Sequence, residues 1–127
     1  MTSVRAAKAK GSAFEYTCQH SLSKLYPKIY RTAERGFQRQ FDLCCDEKEV
    51  VFECKRLKGI SWNQLVKFYE KLTDVTPTAK RRYLLFQSNR QPCLVFYIVY
   101  DGYVIKTFKD VFMTEFEKHP STRVTKK

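Results

Sequence analysis

Three charged residues, Asp42, Glu53 and Lys55, stand within two otherwise apolar segments of the chain. Glu53 and Lys55 are two positions apart, so on a β-strand their side chains project from the same face. Charged groups on a half-buried strand are costly unless they are paired or bind a metal ion. Two converging carboxylates could bind Mg²⁺ together with water and a substrate phosphate. A lysine beside them could orient or deprotonate the attacking water.

The alternative is an ordinary ion pair between Glu53 and Lys55 on an exposed sheet face. Whether Asp42 joins the other two depends on the hairpin that connects the segments. A four-residue connection, 46–49, puts Asp42 directly opposite Glu53. A two-residue connection puts it diagonal to Glu53 on the same face, and a three-residue connection puts it on the other face unless a β-bulge corrects the register.

Apolar periodicity and turn residues predict an α/β domain with a mixed β-sheet flanked by helices. We treat 1–127 as one domain, with a flexible basic arm over residues 1–10 and a basic tail over residues 119–127. A helix is expected from Gly11-Ser12 to Tyr26, and a second from Ser61, followed by a final helix over Phe108–Glu117. Strands are expected at Lys28–Thr32, Phe41–Cys45, Glu49–Lys55, Arg82–Gln87, Leu94–Tyr100 and Tyr103–Thr107.

The charge balance indicates a polyanionic partner. The chain has 24 Lys+Arg against 13 Asp+Glu, a formal net charge of +11, and basic side chains release counterions from phosphate backbones. The longest apolar run, Cys93–Tyr100, is far shorter than the roughly 20 residues of a membrane span, so no membrane partner is expected. The five cysteines lack zinc-site spacing and are expected to be free thiols in an intracellular, reducing compartment, not in a secreted protein.

The ordered set of motifs resembles the PD-(D/E)xK nuclease superfamily, and within it the archaeal-type Holliday junction resolvases. It comprises Lys10-Gly11 and Glu15, a strand with Arg31, then Asp42, the triplet Glu53-Cys54-Lys55, Gln64 and a late pair of strands. The resemblance covers residues 8–118. It implies a restriction-endonuclease-like fold and a homodimer that nicks two strands of a four-way DNA junction in recombination and repair.

The same resemblance implies roles for individual residues. Asp42, Glu53 and the Cys54 backbone carbonyl would bind Mg²⁺, for which Mn²⁺ could substitute, and Glu15 would act near the metal, directly or through water. Lys55 would orient the nucleophilic water, and Gln64 would project toward the site. Two of these residues could instead have a purely structural role. Glu15 could complete a capping box with Ser12, and Gln64 could complete one with Ser61.

Several residues are candidates for contacts with DNA phosphates, although a solvated charge is the alternative for each basic one. They are Arg5, Lys8, Lys10, Arg35, Arg39, Arg56 and Lys58. The chain departs from the family at Phe41, where proline is frequent, and at residues 32–36, where a Gly-Ser-Gly-like turn is replaced. The second departure leaves open whether Thr32, also a candidate for DNA contact, substitutes for the family's catalytic serine.

Other functions remain open at this point. The same chemistry could act on flap, mismatched or duplex DNA. The chain could also be a non-catalytic nucleic-acid-binding module, although the three charged residues of the site are intact. A metal-independent RNA endonuclease would need a histidine-centred site, for which only His20 and His119 are available.

Overall fold

The computed structural model describes residues 4–35 and 41–113, with only the backbone described for residues 4–12 and for Arg35. In chain order, its helices and strands are α1 Val4–Leu22, β1 Tyr30–Arg31, β2 Leu43–Cys45, β3 Val50–Arg56, α2 Trp62–Val75, β4 Arg81–Gln87, β5 Leu94–Val99 and β6 Gly102–Thr107. Short 3₁₀ turns cover Thr32–Arg35 and Asp46–Lys48, and a π-helical turn covers Lys109–Met113.

The six strands form one mixed sheet in which spatial order equals chain order. Strands β1, β2 and β3 are antiparallel neighbours, as are β4, β5 and β6. Strands β3 and β4 are parallel, and α2 makes the crossover between them. This arrangement confirms the predicted α/β domain with a mixed sheet and flanking helices.

The two helices cover opposite faces of the sheet. Helix α1 contributes Phe14, Cys18 and Leu22 to the cluster that contains Phe52 and Cys54. Helix α2 contributes buried side chains to the clusters on the other face: Leu72 with Cys44 and Val51, and Leu65 and Tyr69 with Leu84, Phe86 and Phe96. Because successive strand residues point to opposite faces, Glu53 and Lys55 lie on the α2 side.

Helix α1 starts earlier than predicted. It begins at Val4, so the expected flexible arm is wrong for residues 4–10. The stretch 5–10 is rich in Ala, Lys and Arg, which favour helix strongly enough to extend the helix across Gly11. The helix also ends at Leu22 rather than Tyr26, and Pro27 disfavours helical geometry at the residue before it.

The other boundaries differ by a few residues. Strand β1 is shorter than Lys28–Thr32 because Thr32 already begins a 3₁₀ turn. Of the predicted final helix the structure describes only the π-helical turn, and the predicted basic tail lies outside the described residues. Within the described ranges, no helix has the length and apolarity that crossing a bilayer requires. All five cysteines are free thiols, as predicted, and Cys44 and Cys45 point to opposite faces of the sheet.

Candidate active site

The hairpin between β2 and β3 has the four-residue connection. Leu43 pairs with Phe52 and Cys45 pairs with Val50, which leaves residues 46–49 as the turn. Glu49 closes the turn in the left-handed region, with φ 54°. Asp42, which precedes Leu43, therefore comes directly opposite Glu53, as expected for the four-residue connection.

Asp42 is held in place by three hydrogen bonds, although it lies just before β2. Its backbone N–H donates to the Phe52 carbonyl at 3.2 Å, and its own carbonyl accepts from the Thr32 N–H at 3.0 Å. Its side-chain Oδ2 accepts from the Cys54 N–H at 2.8 Å. The carboxylate is thus tied to the backbone of the strand that carries Glu53.

Glu53 is buried, with 8% of its surface exposed, on a face covered by α2. Burial raises the pKa of Glu53 to about 9, and its hydrogen bond and charge interaction with Asp42 add to the effect. Lys55 and Lys71 act in the opposite direction but do not outweigh it. At neutral pH Glu53 therefore holds a proton where it faces Asp42, unless a cation takes the place of that proton.

Lys55 stands beside the acidic pair without closing a tight ion pair. Its Nζ is 4.0 Å from Glu53 Oε2, and it lies 4.8 Å from the centre of the Phe68 ring on α2. An ion pair on an exposed sheet face does not describe this geometry, because the glutamate is buried and the contact is long. The ammonium group is placed within reach of a small molecule, such as water, bound at the carboxylates.

Glu15 reaches the same region from α1. Arg31 donates to Glu15 Oε1 from both Nε and Nη2, each at 3.3 Å, and the Arg31 guanidinium stacks 4.1 Å from the centre of the Tyr16 ring. Burial and the nearby Asp42 carboxylate raise the pKa of Glu15, whereas Arg31 lowers it. Ser12 lies inside α1, so a capping box does not account for Glu15.

Gln64 is engaged at the start of α2. Its Oε1 accepts from the Ser61 N–H at 3.1 Å, while its N–H donates to Ser61 Oγ at 3.2 Å, which completes the capping box. The side chain is exposed. Helix capping therefore accounts for Gln64, and the observed contacts do not bring its side chain to the carboxylates.

Thr32 is buried, and its hydroxyl donates to the Phe41 carbonyl at 2.6 Å. Together with the bond from the Thr32 N–H to Asp42, this contact braces the segment that enters β2. The hydroxyl is thus committed to the backbone beside the carboxylate pair.

The predicted DNA-contacting residues are only partly described. Arg56 is exposed and donates to Gln87 Oε1 at 3.4 Å and to Asn89 Oδ1 at 2.9 Å, and Lys58 is exposed. Only the backbone is described for Arg5, Lys8 and Lys10 in α1 and for Arg35 in the turn after β1. Arg39 lies outside the described residues.

Three residues of the site escaped the sequence-based reasoning about individual roles. The sequence places Arg31 only on a strand, because its burial and its ion pair with Glu15 depend on the fold. Lys71 acts on the Glu53 charge from α2, and the Phe68 ring lies beneath the Lys55 Nζ. Phe68 and Lys71 are three positions apart, so they share a helix face, and that spacing could have connected Lys71 with the site.

The donor set suits a hard divalent cation. Within residues 13–34 and 41–113, no cluster of three or more Cys, His, Asp or Glu side chains could hold a metal ion. Mg²⁺ in phosphate chemistry commonly takes only one or two carboxylates and fills the remaining positions with water and substrate oxygens. Asp42 and Glu53 supply two carboxylates, and the Cys54 backbone runs beside them.

Comparison of this chain with protein-family models, with curated proteins and with solved structures gave no match.

Proposed function

We propose that this chain is a metal-dependent DNA endonuclease that hydrolyses phosphodiester bonds in branched DNA, with the four-way junction as its preferred substrate. The observation that carries the proposal is the facing pair Asp42 and Glu53 with Lys55 at 4.0 Å from Glu53. Buried facing acids destabilise a fold, so their presence in an otherwise apolar layer calls for a function.

The order of elements supports the proposal. The sequence α1-β1-β2-β3-α2-β4, with an antiparallel β1–β3 meander and a parallel β4, fits a restriction-endonuclease-like core. In that arrangement the acids stand at the start of β2 and on β3, and the lysine follows on β3. The resemblance in the sequence and the placement of the three side chains therefore agree.

Mg²⁺ would be held by Asp42, Glu53 and the Cys54 carbonyl, and when bound it would polarise the scissile phosphate and acidify a bound water. Asp42 contributes a carboxylate that is already fixed by the Cys54 N–H. Glu53 releases its proton when the cation binds, because the raised pKa arises from burial and from the facing acid.

Lys55 orients the attacking water, and its ammonium charge offsets the negative charge that develops at the phosphate, since Nζ stands beside Glu53 and over the Phe68 ring. Glu15 acts from the opposite layer as a positioning residue. The Glu15 carboxyl group is held by Arg31 and interacts electrostatically with Asp42 and with any water between the two acids.

A junction substrate and a homodimer come from the family resemblance, and the net charge of +11 is compatible with both. Two copies related by a two-fold axis would present two sites to two strands, which produces symmetric nicks. Each site hydrolyses one phosphodiester bond, so the dimer cuts two of the four strands of the junction, and these two strands have the same polarity.

The test compares a labelled four-way junction with a linear duplex and a flap, each with and without Mg²⁺. Wild type, Asp42→Asn and the exposed-turn control Asp101→Asn are measured side by side. We expect Mg²⁺-dependent symmetric nicking of the junction by wild type and Asp101→Asn, and junction binding without cutting by Asp42→Asn. An enzyme that binds junctions but never cuts them contradicts the catalytic proposal. Equal cutting of duplex or flap contradicts the junction preference, and full activity of Asp42→Asn contradicts the site.

A further inference from the structure

A pocket of about 350 Å³ opens beside the candidate active site, at the carboxyl ends of β3 and β4. Its apolar walls include Leu57, Ile60 and Phe86, and its polar rim includes Gln87 and Ser88. Small-molecule sites span roughly 300–1,000 Å³, so this pocket has room for one small ring system.

The pocket lies next to Lys55. Phe86 is the register partner of Lys55 on the adjacent parallel strand, so their backbones are about 5 Å apart. Leu57 lies two residues beyond Lys55, about 7 Å along the strand direction, and its N–H still pairs with the Gln87 carbonyl. Phe86 and Leu57 also belong to the α2 side of the sheet, the side of Glu53.

Two exposed cations are close to the pocket in the chain, although neither lines it. Arg56 is hydrogen-bonded to Gln87, which lines the pocket, and Lys58 lies between the lining residues Leu57 and Gly59. The site thus combines apolar walls, which include the edge of the buried Phe86, amide and hydroxyl groups at the rim, and two exposed cations nearby. A flat ring with polar edges, attached to a chain of phosphates, matches all three features.

We propose that this pocket receives one unstacked nucleobase of the bound DNA, one or two nucleotides from the phosphate that is cut. The inference rests on the proposed function, because it takes the ligand to be the DNA strand that passes Asp42, Glu53 and Lys55. The base packs against the apolar walls of the pocket with its polar edge toward Ser88 at the rim, and the exposed cations Arg56 and Lys58 are available to the phosphates of the same strand. The pocket thereby favours substrates with unpaired or easily unstacked bases, such as those at a branch point.

The chain offers a pair of matched glycines for the test. Gly59 lines the pocket, and a Cβ built on it would meet no atom within 4 Å; Gly102, on β6, is equally open. Neither backbone lies in the left-handed region, so both positions accept a side chain without strain. Gly59→Phe adds a ring at a residue that lines the pocket, Gly59→Leu is a smaller version of the same change, and Gly102→Phe adds an equal side chain elsewhere.

The experiment places 2-aminopurine, in turn, at each nucleotide flanking the exchange point of a four-way junction. This base is dim when stacked on neighbouring bases and brightens when it leaves the base stack. Fluorescence is recorded without Mg²⁺ at saturating protein, with saturation measured from the anisotropy of a remote label. We expect at least one position to brighten with wild type and Gly102→Phe, and the increase to be lost with Gly59→Phe and reduced with Gly59→Leu. We also expect about tenfold weaker junction binding by Gly59→Phe.

Equal brightening with wild type and both Gly59 variants overturns the pocket proposal, as does the absence of brightening in fully bound junction. Cutting of the same junctions with Mg²⁺ is scored separately. Brightening that depends on Gly59, without any cutting, leaves the pocket standing and contradicts the endonuclease. A protein that binds none of the DNA overturns both.

Discussion

The backbone N–H of Cys54 donates a 2.8 Å hydrogen bond to Asp42 Oδ2, which ties the first acid to the residue that follows the second. This bond crosses from the start of β2 to the end of β3. It fixes the Asp42 carboxylate against Glu53 before any cation arrives, so the repulsion between the two acids is built into the folded state. The stability of the protein should therefore report on the site.

The first prediction concerns the pH dependence of unfolding without divalent metal. The pKa of Glu53 is raised from an ordinary 4.5 to about 9 in the folded state, so the folded protein binds a proton more tightly than the unfolded chain. The stability that this tightly bound proton contributes to the folded state is fully present below pH 4.5 and is lost as the pH rises toward 9. We expect the free energy of unfolding to fall over this window, and Glu53→Gln to be more stable than wild type at pH 8 by a few kcal/mol.

Urea unfolding in EDTA at several pH values measures this effect. Glu70→Gln, an exposed change on α2, is the matched control and should leave the slope unchanged. A Glu53→Gln variant with the same pH slope as wild type would show that the buried acid does not hold the proton.

The second prediction is that Mg²⁺ raises the melting temperature, and raises it more at pH 8 than at pH 6. The cation must displace the proton that Glu53 holds, so its apparent affinity grows as the pH rises. Differential scanning fluorimetry across a Mg²⁺ series measures the shift, with Ca²⁺ and Mn²⁺ in parallel. Asp42→Asn should lose the shift, whereas Asp101→Asn should keep it. A shift of equal size in Asp42→Asn would place the cation elsewhere.

The fold class and the hairpin faces could be predicted from the sequence because they depend on local patterns. Alternation in Val50–Arg56 separated the Glu53 face from the Cys54 face, and Ser61 with Gln64 marked the start of α2. The register was not determined, because the turn closes on Glu49 in a left-handed conformation that no glycine announces.

The contacts across layers were beyond local patterns. The ion pair of Arg31 with Glu15 joins residues 16 apart on different elements, and no periodicity relates them. The predicted start of α1 at Gly11 is wrong, because the Ala and Lys residues before Gly11 sustain the helix. Sequence patterns therefore located the acids and the lysine, while their partners required the fold.

The third prediction separates capping from chemistry at Gln64. We expect Gln64→Ala to lower the free energy of unfolding by about 1 kcal/mol, because it removes half of the capping box. The cutting rate of the folded protein should stay within about twofold of wild type, because the contacts of Gln64 do not bring it to the carboxylates. A twofold change corresponds to under 1 kcal/mol in the activation free energy. Urea unfolding and single-turnover cutting measure the two effects. Gln64→Glu preserves the box and is the control; a large loss of cutting in both variants would give Gln64 a role in the reaction.

The fourth prediction concerns Thr32. Thr32→Val keeps the backbone N–H that bonds to the Asp42 carbonyl but removes the hydroxyl that donates a hydrogen bond to the carbonyl of the buried Phe41. We expect a loss of about 1–3 kcal/mol in the free energy of unfolding, with cutting retained under conditions where the protein is folded. Thr32→Ser restores the hydroxyl and should recover most of the stability. Abolished cutting by a folded Thr32→Val, rescued by Thr32→Ser, would instead make the hydroxyl part of the chemistry.

The strand order also bears on how the chain folds. Every strand of the sheet pairs with the strand that follows it in the chain, so most pairings close short loops. The exception is the parallel pair β3–β4, whose connection includes all of α2. Loop-closure entropy makes this the slowest pairing to form. Each antiparallel half can therefore organise on its own timescale, and the transition state for folding is expected to centre on the docking of α2.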